Sequence, residues 1–195
     1  FAALTTEDTG SKNVAIGRNA LYSLNYDGDG YNVAVGHQAG ENISTGIQNT
    51  LIGGLAGDAL TTGTSNIAIG HEALSTEDTG NKSIAIGYRA LKLQNNDDDN
   101  FNIAIGYEAG ENITTGMQNT ILGTKAGDEL TTGSENIAIG HNALSTEDTG
   151  GKNIAIGRKA LFAQNFDGDA FNVAIGNIAG QAVTTGIYNV IVGGQ

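Results

Sequence analysis

The stretch NIAIG at Asn66–Gly70 returns unchanged at Asn102–Gly106, Asn136–Gly140 and Asn153–Gly157. Near-copies fill the intervals: NVAIG at Asn13, NVAVG at Asn32, NTLIG at Asn49 and SIAIG at Ser83. The glycine that closes each copy stands at 17, 36, 53, 70, 87, 106, 123, 140, 157, 176 and 193. Successive spacings run 19, 17, 17, 17 and then start again, so four units make a 70-residue superrepeat; TEDTG duly recurs at Thr6, Thr76 and Thr146. A helical repeat is usually about twice as long and poor in glycine. A strand-forming triplet closed by glycine every 17 or 19 residues predicts an all-β chain, a parallel β-solenoid of about eleven coils.

If the coils stack about 4.8 Å apart, equivalent residues form ladders along the rod. Asn opens every motif except the one at Ser83, which suits an amide ladder bonded from coil to coil. The glycine column calls for positive φ or for room at a tight corner. Ala follows the motif glycine by three residues in every coil from Ala20 to Ala179. Thr-Gly precedes the Asn in each coil of the shorter kind, as at Thr62-Gly63 and Thr132-Gly133, and supplies turn chemistry.

Alternate residues of a strand face opposite ways. The two flanking positions of the triplet, Ile67 and Ile69 in one copy, are nearly all Ile, Val or Leu, with Thr50 and Thr120 as departures; they are expected to fill the coil. The middle column would then face outward: Ala15, Ala34, Leu51, Ala68, Ala85, Ala104, Ile121, Ala138, Ala155, Ala174 and Ile191. None of these is polar. An outward apolar strip about 50 Å long calls for a cover, so this column is expected to be a subunit interface. The alternative is a small residue packed beneath a loop of its own coil.

Composition narrows the partners. The 195 residues include 30 glycines and neither proline nor cysteine, which removes disulfides and thiolate metal sites. Twenty-one acidic against nine basic residues give a net charge of −12, which repels phosphate backbones and anionic lipid. Nucleic acid is therefore not an expected partner, and no apolar run approaches the roughly 20 residues of a membrane span. The chain opens at Phe1, inside a repeat, without an initiating Met or a signal peptide. It reads as a single segment, 1–195, of a longer fibrous protein.

The three extended coils carry the unusual chemistry: LYSLNYDGDGYN from Leu21, LKLQNNDDDNFN from Leu91 and LFAQNFDGDAFN from Leu161. Each holds N-x-D-x-D, at Asn25/Asp27/Asp29, Asn95/Asp97/Asp99 and Asn165/Asp167/Asp169, the opening of a calcium loop. The closing Glu is missing, since the twelfth position falls on Gly36, Gly106 and Gly176. A Ca²⁺ site competes here with a solvated acidic loop. Aromatic residues accompany the acids, and Tyr26, Asp27, Asp29 and Tyr31, with Phe166, Asp167, Asp169 and Phe171, are the candidate contacts for a cell-surface glycan or protein receptor. Anchoring of the loop on its own solenoid is the alternative. His37, His71 and His141 share one column but lie two and four coils apart, too far to ligate one ion. A pair such as Glu108/Glu111 could be imagined as glycan-cleaving carboxylates, but acids are scattered over every coil, and catalysis is not expected. Nor is ice binding, because the threonines sit beside turn glycines.

The phrase N-[IV]-A-[IV]-G-x-x-A, repeated along all 195 residues, resembles the head repeats of trimeric autotransporter adhesins. The longer phrasing TTGxxNTLIGGLAGDALTTGxxNIAIGxxAL looks still more like the fibre proteins of marine bacteriophages. The resemblance implies a left-handed parallel β-roll wound as a homotrimer. It also implies an extracellular setting on a virion or bacterial surface, and a structural or adhesive role without enzyme activity. A viral tail-fibre-like shaft or receptor-presenting module is the leading expectation; the head of a bacterial trimeric adhesin is the alternative. Coils of 17 or 19 residues are longer than those of the adhesin heads.

Overall fold

The computed structural model describes residues 2–6 and 9–194. Eleven three-residue strands follow one another: β1 (Val14–Ile16), β2 (Val33–Val35), β3 (Thr50–Ile52), β4 (Ile67–Ile69), β5 (Ile84–Ile86), β6 (Ile103–Ile105), β7 (Thr120–Leu122), β8 (Ile137–Ile139), β9 (Ile154–Ile156), β10 (Val173–Ile175) and β11 (Val190–Val192). They form one parallel sheet in strict chain order, each strand in register with the equivalent residues one coil away, as in Ile67↔Ile84 and Ala68↔Ala85. No helix occurs among the described residues. Each coil thus returns its chain to the same edge and adds one strand, and the chain is a parallel β-solenoid.

The columns explain why this sequence winds. At the motif glycine both anticipated demands hold: Gly70 has φ +135°, and a Cβ there would collide with the backbone carbonyl of Gly87 in the next coil. No other residue satisfies both. Corners elsewhere are turned by left-handed non-glycine residues at fixed places, such as Ser65 (φ 61°), Glu72 (φ 56°) and Leu74 (φ 52°). Each costs on the order of 1 kcal/mol, and burial of the neighbouring columns offsets it.

The asparagines form the expected ladder inside the coil. Asn49 is typical: its Oδ1 accepts the Asn66 N–H at 2.9 Å, and its Nδ2 donates to the Gly63 carbonyl at 2.8 Å. One side chain thereby satisfies a buried donor in the next coil and the carbonyl of the Thr-Gly turn, groups that would each cost about 1–3 kcal/mol if left unpaired. Where Ser83 interrupts the ladder, Gln94 bridges the gap. Its Nε2 donates to Ser83 Oγ and its Oε1 accepts from Asn102 Nδ2, both at 2.8 Å.

The facing of the triplet is the reverse of the expectation. Ala34, Leu51, Ala68, Ala85, Ala104, Ile121, Ala138, Ala155 and Ala174 are fully buried within the single chain, and Ala15 and Ile191, in the end coils, pack partly buried against the same core. The middle column is therefore core of its own coil and not a subunit interface; the alternative of a small packed residue is the correct one. The reason is the bore of the coil, which also receives the residue six positions further on. That residue is Leu only where the middle one is Ala, as in Ala68/Leu74 and Ala138/Leu144. Beside the large Leu51 it is Gly57, where an added Cβ would come within 2.8 Å of Leu51 Cδ2. Each coil supplies at most one large side chain at this level, from either wall; the Ala34/Gly40, Ala104/Gly110 and Ala174/Gly180 coils supply none, and side chains of the adjoining coils such as Leu21 and Leu51 reach in.

Candidate interaction surface

With the middle column inside, the flanking Ile, Val and Leu side chains form two outward ladders up the sheet. In the inner strands they are mostly half-buried by their neighbours above and below; Ile52, Ile105 and Ile175 are exposed. Two further columns border them. Two residues before the first flank stand Tyr31, Phe101, Phe171 and Tyr188, and two residues after the second stand His71, Tyr88 and Tyr107. Among the described residues, every exposed large hydrophobic lies in these four columns except Tyr22, Leu93 and Ile187. The apolar surface is thus concentrated in one band, about 48 Å long at ten coil steps.

The rims of the band are ordered by coil-to-coil stacking. His71, Tyr88 and Tyr107 stack face to face, with centroids 5.9 and 5.2 Å apart, and Phe171 stacks on Tyr188 at 5.3 Å. Each stacked pair covers one face of each of its rings. Beside the first stack, charges alternate along the rod. Arg89 Nε and Lys92 Nζ meet Glu72 Oε2 at 2.8 and 2.7 Å, and Lys125 Nζ meets Glu108 Oε2 at 3.1 Å. The Lys92 and Arg89 side chains hold the Glu72 carboxyl below its ordinary range against partial burial. Glu108 and Glu111 are therefore members of an ion-pair network, the second through Arg89 at 3.7 Å.

The three extended coils repeat one constellation, 70 residues apart. Lys12, Lys82 and Lys152 each reach the carboxylate one coil on, Asp29, Asp99 and Asp169, at 2.6, 2.5 and 2.7 Å. Each ammonium also lies over the next aromatic ring, Tyr31, Phe101 or Phe171, at 4.9, 5.1 and 5.4 Å. The bond from Lys12 lowers the Asp29 carboxyl, with Ser11 adding to it. The first acid of each loop is also drawn to the preceding coil: Thr9, Thr79 and Thr149 hydroxyls donate to Asp27, Asp97 and Asp167.

Of the candidate receptor residues, Asp27, Asp29, Tyr31, Asp167, Asp169 and Phe171 are exposed, whereas Tyr26 and Phe166 are half-buried and Tyr26 packs on the core. The residues Asn25, Asn95 and Asn165 are exposed. The N-x-D-x-D carboxylates point to threonine and lysine partners, and among the described residues no three His, Cys, Asp or Glu side chains gather as metal ligands. The Lys–aromatic stacks were absent from the sequence reading although their signal is plain: a lysine precedes the aromatic in its column by one coil in all three superrepeats.

No protein-family model, curated protein or solved structure matches this chain.

Proposed function

We propose that this chain is a non-enzymatic structural segment of an extracellular fibre, a rod that assembles with copies of itself through its outward apolar band. The arrangement proposed is a homotrimer of left-handed β-rolls in a viral tail-fibre-like shaft or receptor-presenting module. The alternative setting is the head of a bacterial trimeric adhesin. The observation that carries the reading is the pair of outward Ile, Val and Leu ladders that run the length of the sheet, half-buried in most inner coils and exposed at Ile52, Ile105 and Ile175, with aromatic residues at their borders in some coils. Elsewhere the coils present charged and polar residues, and a strip of this length is more than a lone soluble chain normally leaves open. Parallel sheets apolar on both faces are covered on both faces. A second copy fits best because its band has the same 4.8 Å coil rhythm. The extended loops, which break the repeat and carry exposed acids beside aromatic rings, are the proposed receptor contacts.

Sedimentation decides the assembly. Replacing the outward Ile69, Ile86 and Ile105 with Glu should turn an oligomer into a folded monomer with an unchanged circular dichroism spectrum. Ala68→Glu should unfold the chain instead, because it buries an unpaired charge. A native chain that sediments as a monomer at micromolar concentration, or a triple variant that assembles normally, overturns the reading.

A further inference from the structure

The seventh residue after each motif glycine faces the core. In Ile43, Leu60, Ile113 and Leu130 it is aliphatic. In two places a Glu and a Gln from successive coils occupy this column instead: Glu77 with Gln94, and Glu147 with Gln164, all four fully buried. The two knots share a plan but not their donors. Glu77 Oε1 accepts the Gly80 N–H at 2.8 Å, while Oε2 accepts from Gln94 Nε2 at 3.0 Å, from Asn100 Nδ2 at 3.1 Å and from the Asn96 N–H at 3.4 Å. Glu147 receives the same turn bond from Gly150, at 2.8 Å, and a longer one from the Phe166 N–H at 3.4 Å, with the Asp148 N–H adding to them. One substitution within the repeat accounts for part of this: Ala170 stands where Asn100 stands a superrepeat earlier. The buried Gln164 Nε2 has no hydrogen-bond partner.

The charges around Glu147 do not compensate it. Asp148, next in the chain, adds repulsion. Of the lysines in this and the adjoining coils, Lys152 is engaged by Asp169 at 2.7 Å, Lys125 by Glu108 at 3.1 Å, and Lys159 lies over the Phe162 ring. A carboxylate here is stripped of water, lies beside Asp148 and keeps one short hydrogen bond.

We propose that the Glu147 knot is a proton-binding site inside the solenoid, which takes up a proton as the medium turns acid and thereby firms the rod, with the Glu77 knot as a weaker copy. Burial is the main cause that raises the Glu147 carboxyl above its ordinary value of 4.5; the Gly150, Phe166 and Asp148 N–H groups oppose it, and the Asp148 charge adds to it. Glu77 is raised by burial as well, against the donors from Gln94, Gly80 and Asn96. A carboxyl raised in the folded chain contributes stability that is complete below the unfolded value and is lost as pH rises through the folded one. The rod therefore gains stability on going from neutral pH toward about 4.5.

Carboxyl-carbon NMR titration of this chain reads the sites directly. Glu147 and Glu77 should both titrate above 4.5, with Glu77, which has more donors, below Glu147. Glu147→Gln should raise Tm at pH 7 by about 2–4 °C and remove its share of the gain seen in acid, the rest coming from Glu77, Asp58, Glu111 and Asp128, which burial also raises. Ala170→Asn, which restores the donor, should lower the Glu147 midpoint and shrink that gain. If Glu147→Gln does not fold, the titration of the unaltered chain and of Ala170→Asn decides. A Glu147 midpoint at or below 4.5, or an Ala170→Asn chain with the same midpoint and the same pH response, overturns the proposal.

Discussion

At the scale of residues, the fold rests on positions with no tolerance in one dimension and a trade in another. The motif glycine is of the first kind, since its positive φ and its contact with the next carbonyl both exclude a side chain. The core is of the second kind. Leu51 with Gly57, and Ala68 with Leu74, fill the same level of the bore from opposite walls. Leu51→Ala alone should leave a cavity and cost about 2–5 kcal/mol. Gly57→Leu alone should overpack against Leu51 and cost about 1–3 kcal/mol. Combined, they rebuild the Ala68/Leu74 pairing, so the double variant should be more stable than the single costs add up to, with a coupling of about 1 kcal/mol or more. Equal addition of the two costs in chemical denaturation would mean that the pair does not share one space.

At the scale of the coil, period, strand position, turn glycines and amide ladder were all legible in the sequence, because each is a column repeated down a single chain. The facing of the triplet was not. Alternation in NIAIG says that Ile67 and Ile69 lie opposite Ala68, but nothing in three residues says which side is the interior, and bulk suggested the isoleucines. The signal that settles it lies six residues further on, where Leu never accompanies a large middle residue. The extended coils were legible as breaks in the repeat, whereas the engagement of Asp29, Asp99 and Asp169 by lysines one coil back was not, because it joins residues of different columns that only the extra length of the loop brings together. Both extra residues of an extended coil lie in its loop, and the strands on either side keep their register, as in Val14↔Val33. Trimming the three loops to the 17-residue length should therefore preserve the fold. If these loops make the receptor contact, trimming should also abolish attachment of the assembled fibre to cells that the native fibre binds. Undiminished attachment would make this segment a spacer.

At the scale of the whole molecule, eleven coils of one chain line up a single outward band, and the proposed assembly follows from the inward turn of the middle column. The chain contains no cysteine, so single introduced thiols report this arrangement cleanly. Cysteine placed at 68 or at 69 is compared for its rate of alkylation in assembled and in diluted, dissociated protein. The expected result is that Cys at 68 is protected in both states until the chain unfolds, while Cys at 69 is protected in the assembly and reacts freely after dissociation. Rapid alkylation at 69 in concentrated protein, or alkylation at 68 as fast as at 69 in the folded monomer, would contradict it.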